Sequence, residues 1–141
     1  MTQPIDKRID IAVPQDRVFA ALTSSEEIPQ YFPLSRVEAD WAVGGGIKLF
    51  GEADGTPFVD HGVIEILTPP TVFQYRYWSD NHGTARQADN EVTIRYETSD
   101  RQGKTRLTVT QSNLPSLELR QMMEQQVWDF LLGALKQYLE G

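Results

Sequence analysis

Residues 116–140 read SLELRQMMEQQVWDFLLGALKQYLE, a segment with no proline and a single glycine. Its apolar side chains recur at the spacing of an α-helix. They fall on one stripe, which comprises Leu117, Trp128, Leu131, Leu132, Leu135 and Leu139, with Tyr138 at its edge. The pattern predicts an amphipathic helix about 37 Å long at 1.5 Å per residue. Such a helix needs a large, curved apolar surface on which to lie.

Most of the preceding sequence has the pattern of β-strands. The predicted strands lie at residues 9–13, 36–42, 46–52, 60–68, 71–78, 91–98 and 104–112, with short helices at 14–22 and 26–32. Short hairpin-type connections between the later strands predict an antiparallel meander. The order predicts an α+β fold in which a curved antiparallel sheet of about six to seven strands wraps around the long C-terminal helix.

Length, composition and charge limit the kinds of protein and binding partner that this sequence can represent. At 141 residues we expect one domain, residues 1–141, and the absence of cysteine excludes disulfides and thiolate catalysis. The net charge is −7, and no cluster of Lys and Arg marks a surface for nucleic acid or an anionic membrane. The N-terminus lacks the apolar region of a signal peptide, and no apolar run is long enough to span a bilayer. We therefore expect a cytoplasmic protein.

Several local motifs occur in an order that resembles a known superfamily. They are Ile11-Ala12-Val13-Pro14 through Val18-Phe19-Ala20-Ala21-Leu22-Thr23, Tyr31-Phe32, Glu38-Ala39-Asp40, Val43-Gly44-Gly45, Pro69-Pro70 with Phe73-Gln74-Tyr75, Thr105 to Gln111, and the helix from Trp128 to Leu139. Together they resemble the START/SRPBCC (Bet v I-like) superfamily and its helix-grip fold. Within this superfamily, the sequence resembles the subgroup related to the C-terminal domain of the activator of the heat-shock chaperone ATPase.

The resemblance implies three kinds of function, because fold alone does not choose among the activities of a superfamily. The favoured one is the binding of a small hydrophobic or aromatic ligand in a cavity between the sheet and the C-terminal helix. One alternative is an enzyme similar to polyketide cyclases and aromatases, and the other is a chaperone-interacting or other protein-binding module of the stress response. The chain has no room for the separate N-terminal domain of the eukaryotic co-chaperone, which argues against a chaperone contact.

Aromatic and helical residues supply the candidate lining of this cavity. They are Trp41, Phe50, Phe73, Tyr75, Tyr77, Tyr96, Gln121, Glu124, Trp128 and Leu132. On a regular helical wheel Gln121 and Glu124 share the stripe of Trp128, and a carboxylate facing an apolar wall would have a raised pKa. Two other interpretations stay open: the aromatic residues fill an ordinary core, and the first turns of the helix overhang the sheet edge in water.

No motif predicts a catalytic residue, a metal site or a cofactor. His61 and His82 are 21 residues apart and fit solvated histidines better than metal ligands. Gly44-Gly45-Gly46 lacks the spacing of a phosphate loop and predicts a turn or bulge with positive φ.

Three further features of the sequence lead to expectations. Residues 79–90 are polar and predict a mobile loop. The orientation of the strand from Val63 to Leu67 stays open, because Val63, Glu65 and Leu67 can face either way. Phe130, on the outer side of the long helix, is either a homodimer contact or a lone exposed residue.

Overall fold

An antiparallel sheet and a long C-terminal helix dominate the computed structural model, which describes residues 2–141. The strands are β1 (Ile5–Ile11), β2 (Arg36–Ala39), β3 (Gly46–Ala53), β4 (Thr56–Thr68), β5 (Val72–Trp78), β6 (Val92–Arg101) and β7 (Lys104–Ser112), and the short helices are α1 (Gln15–Leu22) and α2 (Ile28–Tyr31). Single 3₁₀ turns cover Asp80–His82 and Ala88–Asn90. The C-terminal helix comprises α3 (Leu117–Met122), a π-helical segment (Met123–Trp128) and α4 (Asp129–Glu140).

The first strand, β1, lies at one edge of the sheet beside the last strand, β7. Its seven strands are arranged β1-β7-β6-β5-β4-β3-β2, so that each of β2 to β7 pairs with its neighbour in sequence while β1 pairs with β7. Every pairing is antiparallel. This open, curved sheet with its C-terminal helix confirms the predicted helix-grip α+β fold.

Two hairpins have two-residue turns that fix the register of the strands they join. Asp54 and Gly55 link β3 to β4 with φ angles of 52° and 81°, and Gln102 and Gly103 link β6 to β7 with 57° and 86°. Positive φ at both central residues is the geometry of a type I′ turn, which matches the twist of antiparallel strands. The predicted positive φ in the glycine triplet occurs at Gly44.

A β-bulge settles which residues of β4 face inward. Ile64 pairs with Tyr75 and Ile66 pairs with Gln74, so Glu65 is the extra residue and is exposed. The bulge changes the phase of the strand, because an added residue reverses the alternation of faces. Ile64 before the bulge and Leu67 after it therefore both pack toward the core.

Several predicted boundaries were wrong. β1 begins at Ile5, four residues before the prediction, because its first residues pair with the far end of β7, where Ile5 faces Gln111. β2 ends at Ala39 rather than at residue 42. The chain turns there, and the Trp41 indole donates to the Ser25 hydroxyl at 3.1 Å.

The C-terminal half of the long helix packs as the sequence predicts. Trp128, Leu131, Leu132 and Leu135 are buried in one core with residues from the inner face of the sheet. Helix α1 adds its own apolar side to this core, formed by Val18, Phe19, Ala21 and Leu22. This shared core attaches the helix firmly to the sheet.

The N-terminal half of the long helix faces a different way from the prediction. Leu117, placed on the inward stripe by the sequence, is 62% exposed, whereas Leu119 is buried. The reason is the π-helical segment, in which backbone hydrogen bonds join residues five apart instead of four. Residues that share a face across this segment are therefore also five positions apart. The inward face therefore runs from Trp128 to Met123 and then to Leu119, and residues before the π segment rotate away from their predicted phase.

Polar contacts hold both ends of this helix on the edge of the sheet. Near its start, Arg120 donates to the backbone oxygens of Gln3 at 2.7 Å and Pro4 at 3.1 Å. At its end, the Glu140 carboxylate accepts from the backbone N–H of Ala12 at 2.7 Å. With both ends fixed, the phase of the helix decides what its middle presents to the interior.

The buried side chain of Gln111 connects the helix to the sheet. Its Oε1 accepts from Trp128 Nε1 at 2.7 Å, and its Nε2 donates to the Tyr77 hydroxyl at 3.3 Å. Gln111 is 0% exposed, so no water can replace it as the partner of the indole N–H. The bond therefore fixes the rotation of the helix at Trp128.

We expect Gln111→Leu to lower the free energy of unfolding by about 2–3 kcal/mol, because it leaves the Trp128 indole N–H buried without a partner. Urea denaturation followed by tryptophan fluorescence measures the change. The matched control is Gln126→Leu at an exposed position of the same helix, which we expect to stay within about 0.5 kcal/mol of the wild type. Equal stability of the two variants would contradict the anchoring role of Gln111.

Candidate functional site

A cavity of about 270 Å³ lies between the inner face of the sheet and the first half of the C-terminal helix. Its walls are mostly apolar side chains. The lining comprises Phe32, Pro33, Leu34, Leu49, Phe58, Asp60, Tyr75, Tyr77, Ser79, Asn81, His82, Ile94, Tyr96, Leu119, Met122, Met123, Val127, Trp128 and Leu131. An apolar recess with a few polar groups is the usual form of a small-molecule site.

Strand alternation places the aromatic floor of the cavity. Tyr75 and Tyr77 form this floor from successive inner positions of β5, with ring centroids 5.9 Å apart. Phe73 precedes them on the same face and packs on Tyr75 at 5.2 Å, outside the lining. Tyr96 on the neighbouring strand β6 stacks on Phe73 at 6.0 Å and meets Trp128 edge-on at 6.2 Å. Burial raises the pKa of the Tyr75, Tyr77 and Tyr96 hydroxyls, so these groups stay neutral.

The π-helical segment forms the roof. It directs Met123, Val127 and Trp128 into the cavity, and Leu119 from α3 continues the same wall. Methionine adapts its shape to irregular gaps because its side chain is unbranched and flexible. π-Helical turns often occur at functional sites. The mouth includes the exposed side chains of Pro33, Asn81 and Met122.

One end of the cavity is polar and contains Asp60. This residue lies on the inner face of β4, opposite Leu49 of β3, and its Oδ1 is buried with no hydrogen-bond partner. Burial raises the pKa of the Asp60 carboxyl to about 6, and the nearby charge of Asp80 adds to the rise while the Ser79 hydroxyl opposes it. Asp60 is therefore a carboxyl group that changes charge close to neutral pH.

His82 lies at the same polar end. The 3₁₀ turn Asp80–His82 follows β5 directly, and the His82 backbone N–H donates to the Ser79 carbonyl at 3.1 Å. The imidazole ring meets Tyr77 edge-on at 5.4 Å, and its Nδ1 is buried without a hydrogen-bond partner. Burial lowers the pKa of His82, so the ring is neutral at pH 7.

This arrangement can take up an apolar body and meet one polar group at its end. Aromatic and aliphatic walls favour an apolar molecule by removing its surface from water. The carboxyl group and the neutral imidazole both have hydrogen-bonding capacity left for a ligand. Among residues 2–141 no three metal-ligating side chains cluster in a way that could hold a metal ion. No helix in the described part of the chain could cross a membrane.

Four of the predicted cavity residues line the cavity, namely Tyr75, Tyr77, Tyr96 and Trp128. Phe73 instead lines a separate void of about 20 Å³ beside the cavity. Trp41 packs against Phe73 with ring centroids 5.7 Å apart, and Leu132 is buried in the adjoining core. Phe50 lies under the Arg36 guanidinium, 4.1 Å from its ring centroid, away from the cavity.

The two polar helix residues in the prediction do not line the cavity. Gln121 is exposed, and Glu124 forms an ion pair with Arg120 at 3.2 Å. Their placement on the stripe of Trp128 assumed regular α-helical geometry, which the π-helical segment breaks. Phe130 is 62% exposed on the outer face, and its role as a homodimer contact stays a prediction.

Sequence reasoning missed the polar residues that do line the cavity. Asp60 is separated from Phe58 and Ile64 by even numbers of residues, so the alternation of β4 was a signal that its carboxylate faces inward. His82 was predicted to be solvated, which was wrong because its ring is half-buried against Tyr77. Nothing in the polar segment 79–90 indicated this contact.

Asp60 makes a pH-dependent contribution to stability that substitution removes. Its folded-state pKa of about 6 lies above the ordinary value of 3.8, so the folded state binds more protons between these values and loses stability as pH rises. We expect the free energy of unfolding of Asp60→Asn, measured relative to that of the wild type, to increase by on the order of 2–3 kcal/mol as the pH rises from 4 to 7.5. Urea denaturation of both proteins across this range measures the difference. A difference that does not change with pH would contradict the burial of this carboxyl.

Comparison with known proteins supports the assignment of the fold and family. Over residues 12–140 the sequence matches the family described as "Activator of Hsp90 ATPase homolog 1-like protein". Comparison with curated proteins gives no match.

Solved structures with similar folds share little sequence with this chain. The solution structure of ChR145 from Cytophaga hutchinsonii has a TM-score of 0.84 and 24% identity, covering 99% of this chain and 95% of that one. The Aha1 dimer from Colwellia psychrerythraea has a TM-score of 0.78 and 18% identity, covering 99% and 97%. DynU16, from the dynemicin biosynthetic locus, has a TM-score of 0.80 and 19% identity, covering 99% of this chain and 48% of that one.

At these identities the structural matches establish the fold alone, whereas the family match covers nearly the whole sequence. The chain therefore belongs to the family of activator of Hsp90 ATPase homolog 1-like proteins, within the START/SRPBCC superfamily.

Proposed function

We propose that the protein binds a small, largely apolar molecule with aromatic character, without covalent chemistry, in the cavity under the π-helical segment. The observation that carries this proposal is the cavity of about 270 Å³ with an aromatic floor and a single polar end. Filling such a space with core side chains would stabilise the fold. Its presence beside a well-packed core is best explained by a ligand that occupies it.

The volume limits the size of the ligand. Ligand pockets for drug-sized molecules span about 300–1,000 Å³, so the cavity of about 270 Å³ suits a smaller molecule of one or two rings. A bicyclic aromatic that buries roughly 200 Å² gains about 5 kcal/mol at 25 cal/mol per Å². Apolar burial alone thus supports a Kd of roughly 0.2 mM. Tighter binding requires contacts at the polar end.

An enzyme of the cyclase or aromatase kind is the second candidate, and the polar end favours it. Asp60, with a pKa near 6, and the neutral imidazole of His82 line the same apolar cavity. A carboxyl with a pKa of about 6 and a neutral imidazole are suited to accept protons from a bound molecule and return them. This candidate needs turnover that depends on Asp60, whereas the binding function needs only occupancy of the cavity.

We expect naphthalene, at a concentration close to its solubility limit, to raise the melting temperature of the protein, because it binds the folded state alone. Val127→Phe, which extends a cavity-lining side chain into the empty space, should abolish this rise while the protein stays folded. Thermal denaturation followed by circular dichroism measures both effects. The matched control is Leu117→Phe, an exposed position of the same helix that does not line the cavity, and it should keep the rise.

Two results would contradict the proposed site. Either naphthalene leaves the melting temperature of the wild type unchanged, or Val127→Phe and Leu117→Phe respond to naphthalene equally. The second result would place any binding outside the cavity.

A further inference from the structure

We infer that the ligand carries a neutral hydroxyl group, such as a phenol, which lies between Asp60 and His82 at the polar end while its ring body fills the aromatic part of the cavity. This inference rests on the proposed function, because it specifies the ligand of the same cavity. It follows from the hydrogen-bonding capacity that the protein leaves unused at this end.

The first unused group is the Asp60 carboxylate. Its Oδ1 is buried and has no hydrogen-bond partner within the described residues. Buried polar atoms in folded proteins are nearly always hydrogen-bonded, so an orphaned oxygen that faces a cavity indicates a missing donor. An ionised carboxylate only accepts hydrogen bonds, and the ligand must therefore present a donor.

The second unused group is the imidazole of His82. Its Nδ1 is buried without a partner in the part of the chain that the structure describes, and the ring is held edge-on to Tyr77 at 5.4 Å. A neutral imidazole has one nitrogen that donates and one that accepts. A hydroxyl group donates one hydrogen bond and also accepts, so it can donate to Asp60 and accept from His82 in the tautomer that carries its proton on Nδ1.

Ser79 and Tyr77 already have hydrogen-bond partners, and the Ser79 hydroxyl also bonds to the Asp60 carboxyl, whose Oδ1 stays without a partner. The Ser79 hydroxyl accepts from the Asn81 backbone N–H at 3.2 Å, and the Ser79 carbonyl accepts from the His82 backbone N–H at 3.1 Å. On the opposite wall the Tyr77 hydroxyl accepts from Gln111 at 3.3 Å. These bonds fix the backbone of the polar end, and among the lining residues they leave Asp60 Oδ1 and His82 Nδ1 as the buried atoms without a partner.

Charged ligands fit this end less well. An anion would meet the Asp60 carboxylate with the charge of Asp80 close by, and like charges in an apolar setting repel strongly. A cation would pair with Asp60, but it would lose its hydration inside a mostly apolar cavity. A hydrocarbon or an ether would fill the cavity and leave Asp60 without a donor. The neutral hydroxyl avoids each of these costs.

The test compares four probes that share one ring body: 2-naphthol, 2-methoxynaphthalene, 2-naphthoate and 2-naphthylmethylammonium. Titration of the wild-type protein at pH 7.5, followed by the fluorescence of Trp128 and the other tryptophans, gives the Kd of each probe. We expect 2-naphthol to bind about tenfold more tightly than 2-methoxynaphthalene, because only the phenol donates to Asp60. The two charged probes should bind more weakly than 2-naphthol.

Two variants locate this preference. In Asp60→Leu the ratio of the Kd values of 2-methoxynaphthalene and 2-naphthol should fall to about one, and in His82→Phe it should fall several-fold. The matched control for loss of a carboxylate is Glu124→Leu, on the same helix as the roof but outside the lining, and it should keep the wild-type ratio. Because the wild-type comparison stands alone, failure of a variant to fold leaves the inference testable.

The results separate this inference from the proposed function. Equal binding of 2-naphthol and 2-methoxynaphthalene overturns the inference and supports the apolar site. Tightest binding of the naphthoate or of the ammonium probe also overturns it. If none of the four probes binds, the proposed function fails and the inference falls with it. If Asp60→Leu keeps the wild-type ratio of the Kd values of 2-methoxynaphthalene and 2-naphthol, a group other than Asp60 selects the hydroxyl, and this result also overturns the inference.

Discussion

The rotational phase of the C-terminal helix is the constraint on which the rest of this structure depends. The hydrogen bond from Trp128 to Gln111 and the burial of Leu135 fix the second half of the helix on the sheet. The π-helical segment Met123–Trp128 then turns the first half, so that Leu119 rather than Leu117 faces inward. One helix thus does two things: its second half closes the core, and its first half stands over a cavity.

The polar end of the cavity contains two buried polar atoms without hydrogen-bond partners. Asp60 keeps a buried carboxylate oxygen without a partner, and His82 keeps a buried ring nitrogen in the same condition. Each lowers stability, because desolvated polar groups without hydrogen bonds cost free energy. Proteins accept such costs mainly where function requires them. Arg76 Nε and Thr84 Oγ1 are also buried without a hydrogen-bond partner, but neither residue lines the cavity. In the core, the Gln111 side chain uses both ends of its amide in hydrogen bonds.

The sequence predicts the architecture better than it predicts the site. Alternation in strands such as β6 and the apolar side of α1 indicate burial directly, and type I′ turns at Asp54-Gly55 and Gln102-Gly103 set register locally. The site depends on non-local features instead. The π-helical turn has no signature in a wheel drawn at 100° per residue, so Gln121 and Glu124 were placed on the wrong face. The inward carboxylate of Asp60 could have been found from strand alternation, whereas the contact of His82 with Tyr77 follows only from tertiary packing.

The most direct measurement of the helical phase is the reactivity of single cysteines, and the absence of native cysteine leaves no background. Thiol reactivity follows exposure, so Leu119→Cys should react slowly with a thiol reagent in the folded protein, and Gln121→Cys should react at nearly the rate of an unfolded chain. The opposite order, with position 121 protected and position 119 reactive, would show a regular α-helix through residues 117–128. It would contradict both the roof of the cavity and the site built beneath it.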